Sequence, residues 1–367
     1  MESFPFKIAG LASRLGRIVP IDEWAKRVPI PHRSKPDTVL SGADIVRILG
    51  IQSKSWDPEL FRDFGTVRTT ALAALKSAGL PPAKVDGLVI VTCTPYEVML
   101  DQDAFRLARE LQLPDHVVPM QINAGCAGLL RAANLMRRMA TQNFLVVTYN
   151  IPSLFLMVAD DRPSPAYLNN GDHPSAETLW ASPAIFSDGA AAVVFERDEA
   201  RAGAISYSRD AIRFGDGPGF TSPLVTFLGG GARCPPGSER CAELSCFAME
   251  GEAVKQYYVK GMLLNHADLR WQRPGYAGEV RRLYVHQSSP ALVRTFVDIA
   301  RLDASRVAMK ADQYGNLVSA STLRLVHEDL AQRLIDNGDE ICISVVGAGP
   351  ERGALLCRIE TCEPVAP

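Results

Sequence analysis

Val117-Val118-Pro119-Met120-Gln121-Ile122-Asn123-Ala124-Gly125-Cys126-Ala127-Gly128-Leu129 is the stretch on which the reading of this chain turns. The apolar run through Ile122 reads as a buried strand, and residues 129–140 read as a helix. Between them a thiol sits among small residues that leave room for a substrate. A cysteine at a helix start feels the positive end of the macrodipole, which favours the thiolate and makes a nucleophile. A buried structural cysteine is the alternative at this point.

Two later junctions carry the partners such a nucleophile needs. In Leu283-Tyr284-Val285-His286-Gln287-Ser288-Ser289-Pro290 an apolar strand ends at His286, and Pro290 opens a helix over 291–301. In Tyr314-Gly315-Asn316-Leu317-Val318-Ser319-Ala320-Ser321 a turn of small residues precedes a helix with apolar spacing at Leu323, Val326, Leu330 and Leu334. Taken singly, a histidine at a strand end is a satisfied core or surface residue, and an asparagine in such a turn is turn chemistry. The signal lies in all three residues falling, in this order, at element junctions.

These motifs together resemble the Cys-His-Asn set of the β-ketoacyl-ACP synthase III branch of the thiolase superfamily. The similar segments are Asn-x-x-Cys-Ala-Gly, Val-His-Gln-x-x-Pro and Tyr-Gly-Asn-x-x-Ser-Ala-Ser. Phe186-Ser187-Asp188-Gly189-Ala190-Ala191-Ala192-Val193-Val194 is similar to that family's glycine-alanine strand. Val346-Gly347-Ala348-Gly349-Pro350-Glu351-Arg352-Gly353 falls where it carries a C-terminal glycine loop. The resemblance implies an α/β, thiolase-like five-layered αβαβα fold of two similar halves. An N-terminal half, 1–200, would carry Cys126, and a C-terminal half, 201–367, would carry His286 and Asn316. It implies a homodimer, with the strand 143–149 at its interface, and catalysis by Cys126, His286 and Asn316. Backbone N–H groups of Cys126 and Gly349 would hold the oxyanion. The implied reaction is acyl transfer to Cys126 followed by Claisen condensation. The thioesters would come from acyl carrier protein or coenzyme A, with no cofactor.

Departures from the family pattern bear on the substrate. Asp44-Ile45-Val46-Arg47-Ile48-Leu49-Gly50-Ile51 lacks the tryptophan that clamps a coenzyme A adenine, which favours a carrier-protein donor. Asp101, or Glu97, stands where olefin-pathway relatives carry a carboxylate base. Burial would raise such a carboxyl toward neutrality and suit it to head-to-head condensation without a malonyl unit. The alternative for Asp101 is a helix N-cap. Transfer of the acyl group to an alcohol or amine, and a silent partner subunit, are further readings of the scaffold.

Composition bounds the rest. A chain of 367 residues buries a large core or divides in two. A formal net charge of −2 gives no strong field for nucleic acid or anionic lipid. No apolar run reaches membrane-span length and no secretion pattern opens the chain, so a cytoplasmic location is expected. Cys234, Cys241 and Cys246 lack the paired short spacings of a zinc site, so no metal is expected. Strand and helix alternation predicts parallel sheet with helical layers. Two stretches interrupt it, 151–183 and 214–246. The resemblance makes them coverings of a substrate tunnel, with Leu154, Phe155, Leu156 and Met157 as tunnel residues for a medium or long acyl chain.

Overall fold

A computed structural model describes residues 2–30, 38–158, 162–163, 179–209 and 223–362. Two large sheets dominate. Their strands, in chain order, are β1 (Glu2–Phe4), β2 (Phe6–Leu15), β3 (Gly87–Thr92), β4 (Pro119–Asn123), β5 (Asn143–Asn150), β6 (Gly189–Arg197), β7 (Gly203–Ser208), β8 (Arg282–Val285), β9 (Val307–Ala308), β10 (Glu340–Gly347) and β11 (Glu351–Arg358). The first sheet runs β2-β6-β5-β3-β4, and the second runs β1-β7-β11-β10-β8-β9. In the first, β6 is antiparallel to both its neighbours, while β5, β3 and β4 are mutually parallel. In the second, β11 is antiparallel to both its neighbours, while β10, β8 and β9 are parallel. Each sheet therefore repeats one strand order, with β1 added to the edge of the second.

Side-chain alternation explains the layers, because successive strand residues face opposite sides of a sheet. Val89 and Val91 of β3, and Ala191, Val193 and Phe195 of β6, join a central core. Leu88 and Ile90, with Ala190, Ala192 and Val194, join an outer core under the helices Gly65–Ser77 and Gln102–Glu110. In β10, Ile341, Ile343 and Val345 face the same central core. Cys342 and Val346 turn to a third core, with the helices Gly251–Gln272 and Pro290–Ala300. The central core also takes Leu129, Ala132, Ala133 and Met136 from the helix Gly128–Met136, and Leu323, Leu325 and Val326 from Ser321–Ala331. The order helix, sheet, helix, sheet, helix is the thiolase-like five-layered α/β fold.

Several expected boundaries move. The helix after Cys126 is Gly128–Met136 rather than 129–140. Residues 58–77 form two helices, Pro58–Arg62 and Gly65–Ser77, broken where Asp63 adopts extended backbone. The expected placement of 143–149 at a subunit interface is corrected. β5 pairs with β6 on one side and β3 on the other, and residues 144–150 are buried. A strand paired on both sides has no free edge to offer. The edge strands of the first sheet are β2 and β4, and β4 is paired by β3 alone among the described residues.

Much of the two expected tunnel coverings, 159–161, 164–178 and 214–222, lies outside the described residues. Their described parts include the helix Ala181–Ile185 and a pairing of Val225–Phe227 with Phe247–Met249.

Candidate active site

Cys126 lies in the turn between β4 and the helix Gly128–Met136. The turn closes with Gly128 N–H donating to Gly125 O at 2.9 Å, and Ala124 N–H is anchored on Thr92 O at 3.0 Å. Packing here leaves no spare volume. A Cβ on Gly128 would stand 2.3 Å from Val91 Cγ1, and one on Gly347 would stand 2.7 Å from the Ala127 Cβ. Glycine at 347 thus lets the loop after β10 close against the cysteine turn. Arg131, one turn into the cysteine's helix, grips buried Glu351 just past that loop. Its two hydrogen bonds measure 3.0 and 2.6 Å and have the bidentate form that fixes orientation as well as charge.

His286 continues β8, its N–H donating to Ser344 O at 2.9 Å. Gln287 stitches the strand end to its neighbour, donating to Val285 O and Ala308 O and accepting from Lys310 N–H. The imidazole is 7% exposed, and neither ring nitrogen has a hydrogen-bond partner among the described residues. Burial drives its pKa down to about 3, so the ring is neutral, with one donor and one acceptor unengaged. Its place is set by Tyr258. The Tyr258 hydroxyl donates to His286 O at 2.8 Å, and the two rings stand 5.4 Å apart.

Asn316 is buried, and its amide is oriented by its surroundings. Oδ1 accepts from Val318 N–H at 2.8 Å and from the Ser321 hydroxyl at 3.2 Å. The NH2 group takes no part in these bonds, and Asn316 shares the wall of one cavity with Cys126. The Asn316 main chain pairs with the strand-like segment before β6. Asn316 N–H donates to Ile185 O at 3.0 Å, and Ser187 N–H donates to Asn316 O at 2.9 Å. Gly315, at φ 73°, makes the turn where a Cβ would meet the Ser187 hydroxyl at 2.1 Å.

The expectation of a thiolate favoured by the helix start is corrected. Burial pushes the Cys126 thiol up to about 12, against the opposing effect of the Asn316 side chain. Cys126 precedes the first helical residue by two positions, and loss of hydration outweighs the helix end.

One cavity of about 610 Å³ brings Cys126, His286 and Asn316 together. Its apolar wall includes Phe186, Leu224, Val254 and Leu292, with Tyr258 beside the histidine. The glycine loop contributes Gly347 and Ala348; Gly349, the expected oxyanion donor, is not in the wall. The expected tunnel residues are elsewhere. Leu154 packs on the outer core of the first sheet, and Leu156 lies in a cluster with Trp24 and Trp56. Phe155 stacks edge-on against Phe227 at 5.9 Å. The Met157 side chain lies outside the described residues. Asp101 and Glu97 are exposed in the single chain. Asp101 occupies the N-cap position of Gln102–Glu110, with φ 52° and no side-chain cap bond. The buried carboxyl of this stretch is Asp103, which accepts from the Tyr149 hydroxyl and from Tyr96 N–H. Burial raises its pKa.

The layered double sheet, with a cysteine at the head of the first central helix, is a thiolase-like fold. Residues 276–359 match the family model described as 3-oxoacyl-[acyl-carrier-protein (ACP)] synthase III C terminal. Over 358 residues the chain is 23% identical to a β-ketoacyl-[acyl-carrier-protein] synthase III of Vibrio vulnificus, covering 92% of this chain and 87% of that one. It superposes on the 3-oxoacyl-(acyl carrier protein) synthase III of Pseudomonas aeruginosa with a TM-score of 0.74 at 23% identity, covering 98% and 100% of the two chains. It superposes on OleA of Xanthomonas campestris with a TM-score of 0.72 at 15% identity, covering 97% and 99%. In sequence and in fold the chain is thus similar to β-ketoacyl-ACP synthase III proteins.

Proposed function

We propose that this protein is a condensing acyltransferase that joins two thioesters through an acyl-Cys126 intermediate and releases a β-ketoacyl thioester. The observation that carries the reading is the convergence of Cys126, His286 and Asn316 on one apolar cavity. There the asparagine's oxygen is held by Val318 and Ser321, and the imidazole has both nitrogens unengaged among the described residues.

In the first stage the Cys126 sulfur attacks the thioester carbonyl of an acyl donor. The thiol proton is lost as the carbon–sulfur bond forms and is taken up by the departing carrier thiolate. The tetrahedral oxyanion takes the Cys126 N–H and a second N–H from the glycine loop. Ala348, which stands in the cavity wall, fits that role better than Gly349. In the second stage a malonyl-type thioester loses carbon dioxide. The pair of electrons left behind forms an enolate, whose oxygen is held by the donors of His286 and Asn316. The enolate carbon attacks the acyl-cysteine carbonyl, a carbon–carbon bond forms, and the Cys126 thiolate leaves. Each oriented donor in a dry site contributes roughly 3 kcal/mol to such a charge-developing step.

The acyl donor is proposed to be carried on acyl carrier protein, in specialised fatty-acid or polyketide synthesis. Asp44, where a nucleotide clamp is expected in primer-using relatives, is spent on a capping box with Ser41. Two units corresponding to 1–200 and 201–367 belong to the same reading, supported by the repeated strand order. So does a homodimer, with the edge strand β4 as the proposed interface. Val98, Met99 and Leu100, ahead of the helix Gln102–Glu110 whose Ala104 N–H donates to the Gln121 side chain of β4, are 63%, 62% and 79% exposed, a patch that a second copy would cover. Head-to-head condensation is the second reading, and it requires a partner subunit to cover Asp101 or Glu97, both exposed in the single chain.

Intact-mass measurement with a panel of acyl-carrier-protein and acyl-CoA thioesters tests the first stage. The expected result is a single acyl adduct, absent from Cys126→Ala. An adduct that persists in that variant contradicts the assignment.

A further inference from the structure

We infer that Lys54 is a positioning residue for Asn316, acting through the main-chain segment on which Asn316 is mounted. The inference rests on the role proposed for Asn316 above. Lys54 lies in the short strand Ser53–Ser55 and is fully buried. Among the described residues no carboxylate lies within ion-pair distance of its ammonium. The charge is instead met by main-chain oxygens. Nζ donates to Pro183 O at 2.5 Å, Ala184 O at 3.0 Å and Phe186 O at 2.7 Å. An ammonium has three N–H donors, and all three are used. The cation also stands 4.4 Å from the Trp24 ring centre and 5.4 Å from that of Trp56. These indoles supply favourable cation–π contact and exclude water.

A buried ammonium is costly unless it is fully hydrogen-bonded, so the geometry calls for an account. The three carbonyls belong to one run, 183–186, which enters no large sheet. That run gives Ile185 O and Ser187 N–H to the main chain of Asn316, and it gives Ile185 and Phe186 to the cavity wall. Without Lys54 three carbonyls that converge on one point would face each other without a donor. The next residue is tied in the same way: the Ser55 hydroxyl donates to Asp188 O at 2.6 Å, and Asp188 N–H donates to Ser55 O at 2.9 Å. Ser53–Ser55 therefore acts as a splint for 183–188, and Lys54 is its central fastening. The end of the splint is the asparagine whose NH2 must stay on the enolate oxygen.

The test is a double-mutant cycle of Lys54→Met and Asn316→Ala, reading the single-turnover rate of condensation from enzyme already acylated on Cys126. Acyl-enzyme mass and thermal melting are followed in each variant. Lys54→Met is expected to slow condensation about tenfold or more, and to add nothing once Asn316 is alanine. A loss that multiplies in the double variant, or a Lys54→Met rate equal to wild type, overturns the inference. If Asn316→Ala itself condenses at the wild-type rate, it is the proposed function that fails rather than the splint. Lys54→Gln, which retains an N–H donor in the cage, carries the same cycle should Lys54→Met not fold, and an intermediate loss is expected of it.

Discussion

The Asn316 side-chain oxygen is held by Val318 N–H at 2.8 Å and the Ser321 hydroxyl at 3.2 Å, which leaves the NH2 as the donor for the cavity that Asn316 shares with Cys126. An amide has no proton to lose in the working range, so this donor is independent of pH. Asn316→Ala is expected to slow condensation by about 10²-fold or more, the scale of losing one oriented donor. Ser321→Ala should cost much less, because Val318 N–H still fixes the amide. Single-turnover condensation rates check this. Equal losses in the two variants would mean that orientation is not set as described.

The Cys126 thiol at about 12 and the His286 imidazole at about 3 define how the free enzyme responds to pH. A thiol that high is protonated near neutrality, and its thiolate fraction rises about tenfold per pH unit. Alkylation of Cys126 by iodoacetamide, located by peptide mass, should climb from pH 6 to 9 without a plateau. A plateau near pH 7 would mean that the resting enzyme holds a thiolate.

His327 is buried, bonded to the Ser13 hydroxyl at 2.8 Å, and depressed to about 4 by burial and by neighbouring Arg324. In the unfolded chain it titrates near 6.5. Below that pH the unfolded chain takes a proton that the folded one refuses, so stability falls as pH drops from about 6.5 toward 4. Between pH 7 and 5 the loss is about 2 kcal/mol. Asp188, raised to about 6 by burial, acts in the opposite sense, its folded form taking up a proton as pH falls through 6. Thermal melts of His327→Gln should therefore lose less stability between pH 7 and 5 than wild type. Parallel curves for the two proteins would refute this.

The proposed dimer predicts a specific breakage. Val118→Glu just ahead of β4, combined with Leu100→Glu in the exposed apolar patch, should convert a dimer to monomer in light scattering. An unchanged dimer would place the interface elsewhere.

What the sequence reveals follows from where chemistry-bearing residues lie. Cys126, His286 and Asn316 stand out because each closes or opens an element, where a periodic pattern breaks off at a reactive side chain. The layering is legible because β3, β5, β6 and β10 are nearly unbroken apolar runs, as strands covered on both faces must be. The same rule carries an unused signal. The continuous run 143–149 belongs in the middle of a sheet, while Pro119, unable to donate a ladder bond, marks β4 as an edge. Lys54, Tyr258 and Asp103 have no such mark. Each is a polar residue whose role arises from partners 28 or more positions away (Pro183, His286) or from a buried tyrosine on another strand (Tyr149). Leu154 to Leu156 are apolar as a tunnel wall would be, but hydrophobicity alone does not distinguish core from cavity.

The most direct measurement of the central claim begins with enzyme acylated on Cys126, freed of excess donor, and mixed with a malonyl-type carrier thioester. Product and carbon dioxide are followed by mass spectrometry. The predicted result is a β-ketoacyl thioester longer than the acyl group by two carbons, with one carbon dioxide released per acyl group consumed. Loss of the acyl group as free acid, or its transfer intact to an oxygen or nitrogen acceptor with no carbon–carbon bond formed, would contradict it.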